Sequence, residues 1–232
     1  MFKAKTVLLI TALVTAVAVV VLALLGTNSA KQAYAAPTIV IDAGHGGADG
    51  GVTGAESRVT EAEINLAISF MLEEELISRG FNTVKTRTSE GTAAIVTGEK
   101  QQDMEKRKAT ILSAVPDAVI SIHCNKFPSS ERRGAQVFFN PHSENGKTLA
   151  ARLQDSLNIL NIVEVGRGFS SLGGDYYILN CSAYPSAIVE CGFLSNAEDE
   201  KLLLSEDYRK KLVKAIADGL EKFLYVDFMK AR

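Results

Sequence analysis

Two of the three histidines in this sequence lie where a catalytic metal ion could be bound. His45 falls inside the glycine-rich segment 43–47, and glycine lets the backbone turn sharply and approach a ligand closely. His123 ends the run 119–122 (Val-Ile-Ser-Ile), where an inert core strand would carry another aliphatic residue. His142 falls in a stretch typical of a solvated loop, so we predict that only the other two are ligands.

Two acidic residues, Glu61 and Glu190, are candidates to complete this site. Two histidines and one carboxylate form a common hydrolytic zinc site, whose fourth position stays open for water. Such a metal lowers the pKa of the water toward ~7 and polarises a substrate carbonyl. Hydrolysis of an amide also needs a general base and acid, for which a second carboxylate is suited. The spacing alone does not say which acid binds the metal and which moves protons.

Each acid also has a purely structural interpretation. Glu61 begins a predicted helix, where a negative charge interacts favourably with the helix dipole. Glu190 interrupts the apolar segment 187–193, and a buried carboxylate requires a partner or a cavity there because its desolvation is costly. The second acid is therefore harder than the first to explain by structure alone.

The three cysteines are predicted to be structural. Cys124 and Cys191 adjoin the candidate residues, but strand alternation turns each of them to the opposite face, where they pack as small hydrophobic residues. Together with Cys181 they make an odd number without metal-type spacing, so the sequence implies no disulfide framework.

The elements that must position these residues alternate between short apolar strands and helices. We predict strands at Thr38–Ile41, Phe81–Arg87, Ala118–His123, Gly134–Phe139, Tyr176–Leu179 and Ala187–Glu190. We predict helices at Glu61–Arg79, Gln101–Ser113, Lys147–Leu160, Leu202–Leu204 and Tyr208–Leu224. Because the strands lack polar alternation, the fold class is α/β, a single layered domain with a mainly parallel central sheet flanked by helices. Such sheets form their sites beyond the carboxyl ends of the strands, so the four candidate side chains should meet at one rim.

The amino-terminal segment differs in composition from the rest of the 232 residues. Residues 1–36 combine a basic start, the apolar run Thr6–Leu25 and a small-x-small exit, which is typical of a signal peptide or a retained membrane anchor. Either one predicts an exported protein whose domain, residues 37–232, works outside the cytoplasm. That domain has 22 basic against 27 acidic side chains, because three lysines and no acid fall in the first 36 residues. Its negative charge argues against nucleic acid or an anionic lipid surface as a partner.

The motifs together resemble the N-acetylmuramoyl-L-alanine amidases of the amidase-3 type. The resemblance extends from about Thr38 to Phe223, with all the motifs in the order of that family. It rests on the segments 42–51 (DAGHGGADGG), 61–67 (EAEINLA), 86–87 (TR), 121–125 (SIHCN) and 187–196 (AIVECGFLSN).

The resemblance implies a role for each candidate residue. His45, Glu61 and His123 would hold one zinc ion per chain, and Glu190 would be the catalytic acid and base. The loop before Glu61 is about two residues longer than in relatives, which leaves Glu56 as an alternative ligand. The bond cut would be the amide between N-acetylmuramic acid and L-alanine, so the partner would be peptidoglycan glycan strands with stem peptides.

A catalytic domain without wall-binding repeats is most similar to the spore-cortex branch of this family. That branch implies a role in forming muramic δ-lactam, in the cell wall or the spore intermembrane space, with a possible protein activator or anchoring partner. On chemistry alone, another zinc-dependent wall peptidase or deacetylase would use the same residues. A non-catalytic peptidoglycan-binding module is the remaining alternative, although it would be expected to have lost Glu190.

Overall fold

The computed structural model of this chain describes residues 35–89 and 100–228. Six strands are present: β1 (Thr38–Ala43), β2 (Asn82–Lys85), β3 (Ala118–Asn125), β4 (Gln136–Phe139), β5 (Leu172–Gly173) and β6 (Ser186–Phe193). The α-helices of the described residues are α1 (Glu61–Ser78), α2 (Lys100–Ala114), α3 (Glu144–Val165), α4 (Tyr177–Asn180), α5 (Ala197–Leu204) and α6 (Glu206–Lys222). A π-helical segment, Phe223–Phe228, follows α6.

One sheet contains all six strands, in the order β2-β1-β3-β6-β4-β5. The pairs β1 with β2, β1 with β3, β3 with β6 and β4 with β5 are parallel, and β4 runs antiparallel to β6. The carboxyl ends of β1, β3 and β6 therefore meet at one edge of the sheet. The predicted α/β class with a mainly parallel sheet is confirmed.

Helices cover both faces of the sheet. The larger core lies on the face packed against α1, α3 and α6, and it includes Ile39, Ile120 and Val189 from the strands. The smaller core lies on the other face, where Ile111 of α2 and Ile178 of α4 pack near strand residues such as Val119. Side chains alternate between faces along a strand, so Asp42, His123 and Glu190 belong to the second, more thinly covered face.

The start of α1 is fixed by its capping residues, and this determines where Glu61 lies. The Thr60 hydroxyl accepts a hydrogen bond from the Glu63 N–H, and the Glu63 carboxylate accepts one from the Thr60 N–H. This reciprocal capping box satisfies two backbone donors that the first helical turn leaves unpaired. Glu61 is thereby held as the first residue of the helix, where it is 2% exposed.

The predicted strand Tyr176–Leu179 is wrong, because the chain forms the single helical turn α4 there. Ile178 and Leu179 are both buried against one face of the sheet, as neighbouring residues on a helical turn can be. A short apolar run does not by its periodicity separate a strand from a helical turn. The strand in this region is instead β5, which pairs with the end of β4.

The other predicted elements are present, with shifted ends. The strand predicted at Phe81–Arg87 is shorter and covers only Asn82–Lys85, which leaves Arg87 outside the sheet. The helix predicted at Lys147–Leu160 is longer and extends over Glu144–Val165. None of the helices within the described ranges is long and apolar enough to cross a membrane. The predicted signal peptide or anchor in residues 1–36 falls almost entirely outside those ranges.

Candidate metal centre and catalytic cleft

Three predicted ligands lie together at the carboxyl edge of the sheet. Within the described residues, His45, Glu61 and His123 form a group whose ligand atoms all lie within 4.8 Å of one another. Glu61 stands between the two rings, with Oε2 3.2 Å from His45 Nε2 and Oε1 2.9 Å from His123 Nδ1. Two imidazole nitrogens and a carboxylate are a donor set that suits zinc. The residues present therefore fit a zinc ion.

The Glu61 carboxylate is fully surrounded by hydrogen-bond donors. Its Oε1 accepts bonds from the Cys124 N–H at 3.1 Å and from Asn65 Nδ2 at 3.3 Å, and its Oε2 accepts one from the Val52 N–H at 3.0 Å. Burial alone would raise the pKa of Glu61, but the two histidines outweigh it by hydrogen bonds and charge and hold the pKa far below its usual value. Glu61 is therefore ionised at neutral pH, as a metal ligand must be.

His45 is held in an uncommon conformation by its neighbours. Its backbone lies in the left-handed region at φ 60°, which few residues with a side chain adopt. Its Nδ1 lies 2.9 Å from Asp49 Oδ2, and such a carboxylate fixes the tautomer and orientation of a metal-binding ring. Burial opposes protonation, but hydrogen bonds and charge from Glu61 and then Asp49 raise the pKa of His45 to about 9. A metal ion would therefore displace a proton from this ring.

Two buried arginines hold the backbone that carries His45. Arg87 donates from Nε to the carbonyl oxygen of residue 43 at 2.9 Å and from Nη2 to those of residue 44 at 3.1 Å and Ala62 at 2.8 Å. Arg107 donates from Nη1 to the carbonyl oxygen of residue 43 at 2.8 Å and from Nη2 to that of His45 at 2.7 Å. The carbonyl groups of residues 43–45 are thus fixed by two guanidinium groups from different elements.

Arg107 also forms a buried ion pair with Asp42, the residue before this backbone segment. Its Nη1 lies 2.6 Å from Asp42 Oδ1, and its Nε donates to Asp103 Oδ2 at 2.7 Å. Ser121 and Thr86 donate further hydrogen bonds to the Asp42 carboxylate, each at 2.6 Å. Burial would raise the pKa of Asp42, but the charge of Arg107 and these hydroxyl groups outweigh it and lower the pKa. Both charges are therefore compensated although neither is exposed.

Two glycines leave the space that the predicted metal-binding side chains occupy. A Cβ atom on Gly44 would lie 2.2 Å from His123 Nε2, within the imidazole ring. A Cβ atom on Gly51 would lie 2.6 Å from Glu61 Oε2, and the φ of Gly51 is +66°. Any side chain at either position would displace a predicted ligand.

Glu190 lies beside His123, because β3 and β6 pair in parallel with these two residues in register. Its Oε2 atom is buried and has no hydrogen-bond partner within residues 35–89 and 100–228. Burial raises the pKa of Glu190 to about 7, with the charges of His123 and His45 opposing the effect and that of Glu61 adding to it. A carboxyl group with this pKa can accept and donate a proton near neutral pH.

The four side chains lie in or beside one cleft of about 400 Å³. His45, His123 and Glu190 line its floor, and Glu61 reaches the two histidines from behind them. One wall is the amino-terminal half of α2, and the opposite wall is the segment 175–178. The ring of Tyr176, which is 41% exposed, is held by a T-shaped contact with Phe138.

The structure also shows where the alternative residues lie. Glu56 is exposed and outside the metal group, and its backbone N–H donates to the Glu200 carboxylate at 3.0 Å. His142 is an exposed loop residue. Cys124 and Cys191 are buried in the larger core, on the face predicted from strand alternation. Both are free thiols, as is Cys181.

Several residues of the site were not predicted from the sequence. Asp49 follows His45 by four residues, but nothing in the glycine-rich segment shows that the chain folds back to join the two side chains. Arg107, unlike Asp49, could have been identified from the sequence, because it occupies a core-facing helical position four residues before Ile111. A charged residue at such a position predicts a buried partner. Tyr176 was predicted to be a strand residue and therefore was not considered for the cleft.

The sequence matches a known family over most of its length. A family profile described as N-acetylmuramoyl-L-alanine amidase (Amidase_3) matches residues 39–222. The uncharacterized protein YqiI of Bacillus subtilis (strain 168) is 31% identical over 188 residues, which cover 80% of this chain and 84% of that protein. The germination-specific N-acetylmuramoyl-L-alanine amidase of the same strain is 32% identical over 192 residues, which cover 80% of this chain and 78% of that protein.

Solved structures share the fold. The CwlD amidase from Clostridioides difficile, solved in complex with the GerS lipoprotein, has a TM-score of 0.74 and 33% sequence identity. The similarity covers 82% of this chain and 100% of that chain. An N-acetylmuramoyl-L-alanine amidase from Clostridium difficile 630 has a TM-score of 0.73 at 24% identity, covering 84% of this chain and 100% of that chain. The second comparison supports the fold alone.

Proposed function

The chain belongs to the Amidase_3 family of N-acetylmuramoyl-L-alanine amidases, and from this premise we propose that it is a zinc-dependent peptidoglycan amidase. The substrate is the amide between the lactyl group of N-acetylmuramic acid and L-alanine of the stem peptide. The observation that carries the proposal is Glu190, which is in register with His123 on the floor of a cleft and whose buried Oε2 has no hydrogen-bond partner among the described residues. A binding module has no need of a buried proton-transfer group beside a metal site.

We assign zinc binding to His45, Glu61 and His123, with one ion per chain. The support is the convergence of two ring nitrogens and one ionised carboxylate. A bound zinc ion supplies Lewis acidity, which polarises the scissile carbonyl group and lowers the pKa of water. The hydrogen bonds to Glu61 and the pairing of His45 with Asp49 orient the ligands before the ion arrives.

The protein supplies the proton transfers through Glu190. At neutral pH its ionised form takes a proton from the water that attacks the lactyl carbonyl carbon. As the carbon–nitrogen bond breaks, the same carboxyl group delivers that proton to the departing alanine nitrogen. A pKa of about 7 suits both steps, because the group is neither too weak a base nor too weak an acid.

We further propose that the enzyme is exported and acts in spore cortex, in the formation of muramic δ-lactam. The similarity to the germination-specific amidase of Bacillus subtilis supports this role. The domain of residues 37–232 follows the predicted signal peptide or membrane anchor. The related CwlD amidase was solved in complex with a lipoprotein, which supports a protein partner that positions or activates this chain.

The proposal is tested by identifying the bond that is cut. Purified full-length protein, loaded with zinc, is incubated with peptidoglycan, and the products are analysed by mass spectrometry. We expect free L-alanine amino termini and glycan strands that keep intact lactyl groups. Removal of zinc with a chelator should stop the release, and added zinc should restore it. Acetate or shortened peptides as products would instead indicate a deacetylase or a peptidase, the two catalytic rivals.

A matched variant separates catalysis from binding. His142→Ala changes an exposed histidine outside the cleft, whereas His123→Ala removes a proposed ligand. We expect wild-type zinc content and product release for the first variant and the loss of both for the second. Binding of glycan strands without any release by the zinc-loaded wild type would support the non-catalytic module.

A further inference from the structure

The two walls of the cleft differ in charge. The α2 wall presents Lys100 together with Asp103, whereas the opposite wall presents Asp175. Glu190, Asp42 and Asp49 also line the cleft, and the last two are paired with Arg107 and His45. The other cation in the cleft, Arg107, is already engaged by Asp42 and Asp103. An anionic group of a ligand is therefore attracted to the α2 wall and repelled by the opposite one.

Lys100 has no ionic partner of its own among the described residues. No carboxylate oxygen of residues 35–89 or 100–228 lies within 4.0 Å of its amino group. Burial would raise the pKa of Asp49, but hydrogen bonds from His45 and Gly51 and the charge of His45 lower it, and the charge of Lys100 adds to this lowering. The ammonium group therefore lies within electrostatic range of Asp49, the residue that orients the metal ligand His45.

We propose, on the basis of the amidase function above, that Lys100 binds the carboxylate of the second stem-peptide residue. In peptidoglycan that residue is a glutamate linked through its side chain, so its α-carboxylate stays free or is amidated. It follows the L-alanine whose nitrogen is released at Glu190. One residue spans about 3.5 Å, so the free carboxylate stays close to the metal centre, on the α2 wall.

The apolar lining on the other side supports this orientation. Ile188 is two residues before Glu190 on β6 and so shares its face, and Tyr176 and Ile178 lie beside it in the cleft. The alanine nitrogen must approach Glu190, and the apolar residues adjoin Glu190. The methyl group of the same alanine therefore fits against them. The next residue then points away from Asp175 and toward Lys100, a lysine for which the described residues provide no ion pair.

The opposite wall is held in place by a bridge across the cleft. Tyr177 donates a hydrogen bond from its hydroxyl group to Glu105 Oε1 of α2 at 2.6 Å. This bond, with a further contribution from burial, raises the pKa of Tyr177 to about 12, so the hydroxyl stays protonated and able to donate. Lys100 is the first residue of α2, so it precedes Glu105 and the bridge along the helix.

The test compares two substrates that differ only at this carboxylate. One is N-acetylmuramoyl-L-alanyl-D-isoglutamate and the other carries D-isoglutamine in its place. We expect the wild-type full-length protein to have about fivefold higher kcat/KM for the carboxylate form, mainly through KM, as one partly exposed ion pair provides. Lys100→Ala should remove the preference and Lys100→Glu should reverse it. Lys106→Ala, an exposed lysine of the same helix outside the cleft, should keep it.

A binding measurement keeps this inference separate from the proposed function. The dipeptides L-alanyl-D-isoglutamate and L-alanyl-D-isoglutamine are titrated into zinc-loaded wild type and Lys100→Ala by calorimetry. Preference of the wild type alone for the carboxylate supports the site, even if the enzyme cuts a different bond. Equal affinities in the wild type, or a preference that survives in Lys100→Ala, would overturn it.

Discussion

Glu61 and Glu190 are the same residue type and interact with the same two histidines, but their surroundings are opposite. Glu61 accepts hydrogen bonds from two backbone N–H groups and one side-chain amide and stands between two rings. Glu190 has a buried oxygen without any partner among the described residues. The pKa of the first is lowered far below its usual value, and that of the second is raised to about 7.

The difference in pKa fits the two proposed roles, a ligand that keeps its charge and a group that exchanges a proton. Hydrogen bonds to an ionised carboxylate stabilise it, so Glu61 adds to the stability of the fold as well as to a metal site. An unpaired buried carboxylate costs stability, and such costs are characteristic of functional sites. Two carboxyl groups with separated pKa values are the pattern that assigns distinct roles to neighbouring acids.

The largest effect should come from exchanging each acid for its amide. Glu190→Gln removes the proton-transfer group and should lower turnover by ~10²–10⁴-fold while zinc content stays at one per chain. Glu61→Gln removes a ligand charge and should lose both zinc and turnover. The checks are elemental analysis and release of L-alanine amino termini from peptidoglycan. Loss of zinc in Glu190→Gln alone would mean that the two roles are exchanged.

The next effect concerns the arginine that holds the metal-ligand backbone. The double variant Asp42→Asn, Arg107→Met removes both members of the buried ion pair and leaves Asp103, which is 15% exposed, without its arginine partner. Because the carbonyl of His45 then loses its donor, zinc affinity should fall about 10–100-fold, as for other losses of outer-shell support. Competition with a fluorescent chelator measures the affinity, and circular dichroism checks the fold.

Arg79→Met is the matched control for that variant. Arg79 also forms several ion pairs, with Glu75, Asp218 and Glu221, but on the α1 and α6 side of the molecule. It should leave zinc affinity unchanged. An equal loss of affinity in both variants would indicate general destabilisation rather than positioning of His45.

A smaller effect should appear in the pH dependence of stability without metal. Because the pKa of Glu190 is raised from 4.5 to about 7, the folded state holds its proton more strongly than the unfolded chain. Its contribution to the free energy of unfolding therefore falls as the pH rises from about 4.5 to 7. Glu190→Gln cannot ionise, so its stability relative to wild type should rise over this window, by on the order of 2 kcal/mol.

Thermal unfolding of chelator-treated protein at pH 5 and pH 8 measures this change. Glu131→Gln, which alters an exposed acid away from the cleft, should show the same difference from wild type at both values. A constant difference for Glu190→Gln as well would show that its carboxyl group is not protonated more readily in the folded state.

The smallest effect should come from the loop between His45 and Glu61. Glu200 of α5 accepts hydrogen bonds from the backbone N–H groups of Glu56 and Ser57, at 3.0 and 2.7 Å. Glu200→Gln weakens both bonds and should lower the free energy of unfolding by about 1–2 kcal/mol. Zinc affinity should change less than twofold, because Glu61 itself is fixed by α1. Glu198→Gln, an exposed acid of the same helix, should change neither quantity.

The fold and the convergence of candidates could be predicted from the sequence because both depend on local patterns. Apolar runs without alternation indicate buried parallel strands, and their carboxyl ends meet at one edge. The pattern failed at the apolar run Tyr176–Leu179, most of which belongs to the helical turn α4. It also gave no sign of the Asp49 contact or of the Arg87 hydrogen bonds, since these depend on backbone carbonyl groups brought together by the tertiary fold. The raised pKa of Glu190 depends on its burial and on the lack of a hydrogen-bond partner for Oε2 among the described residues, which only a structure reveals.

The register of β3 and β6 has a consequence for how this architecture can vary. His123 and Glu190 are partners in a regular parallel ladder whose register shifts just beyond them, so their separation is set by the spacing of neighbouring strands, about 4.8 Å. The chain between the two strands contributes nothing to that spacing. Residues can thus be inserted in the exposed loop 126–132 without moving Glu190 relative to His123. A regulatory segment inserted there would control the access of substrate to the cleft, but it would not change the spacing between His123 and Glu190.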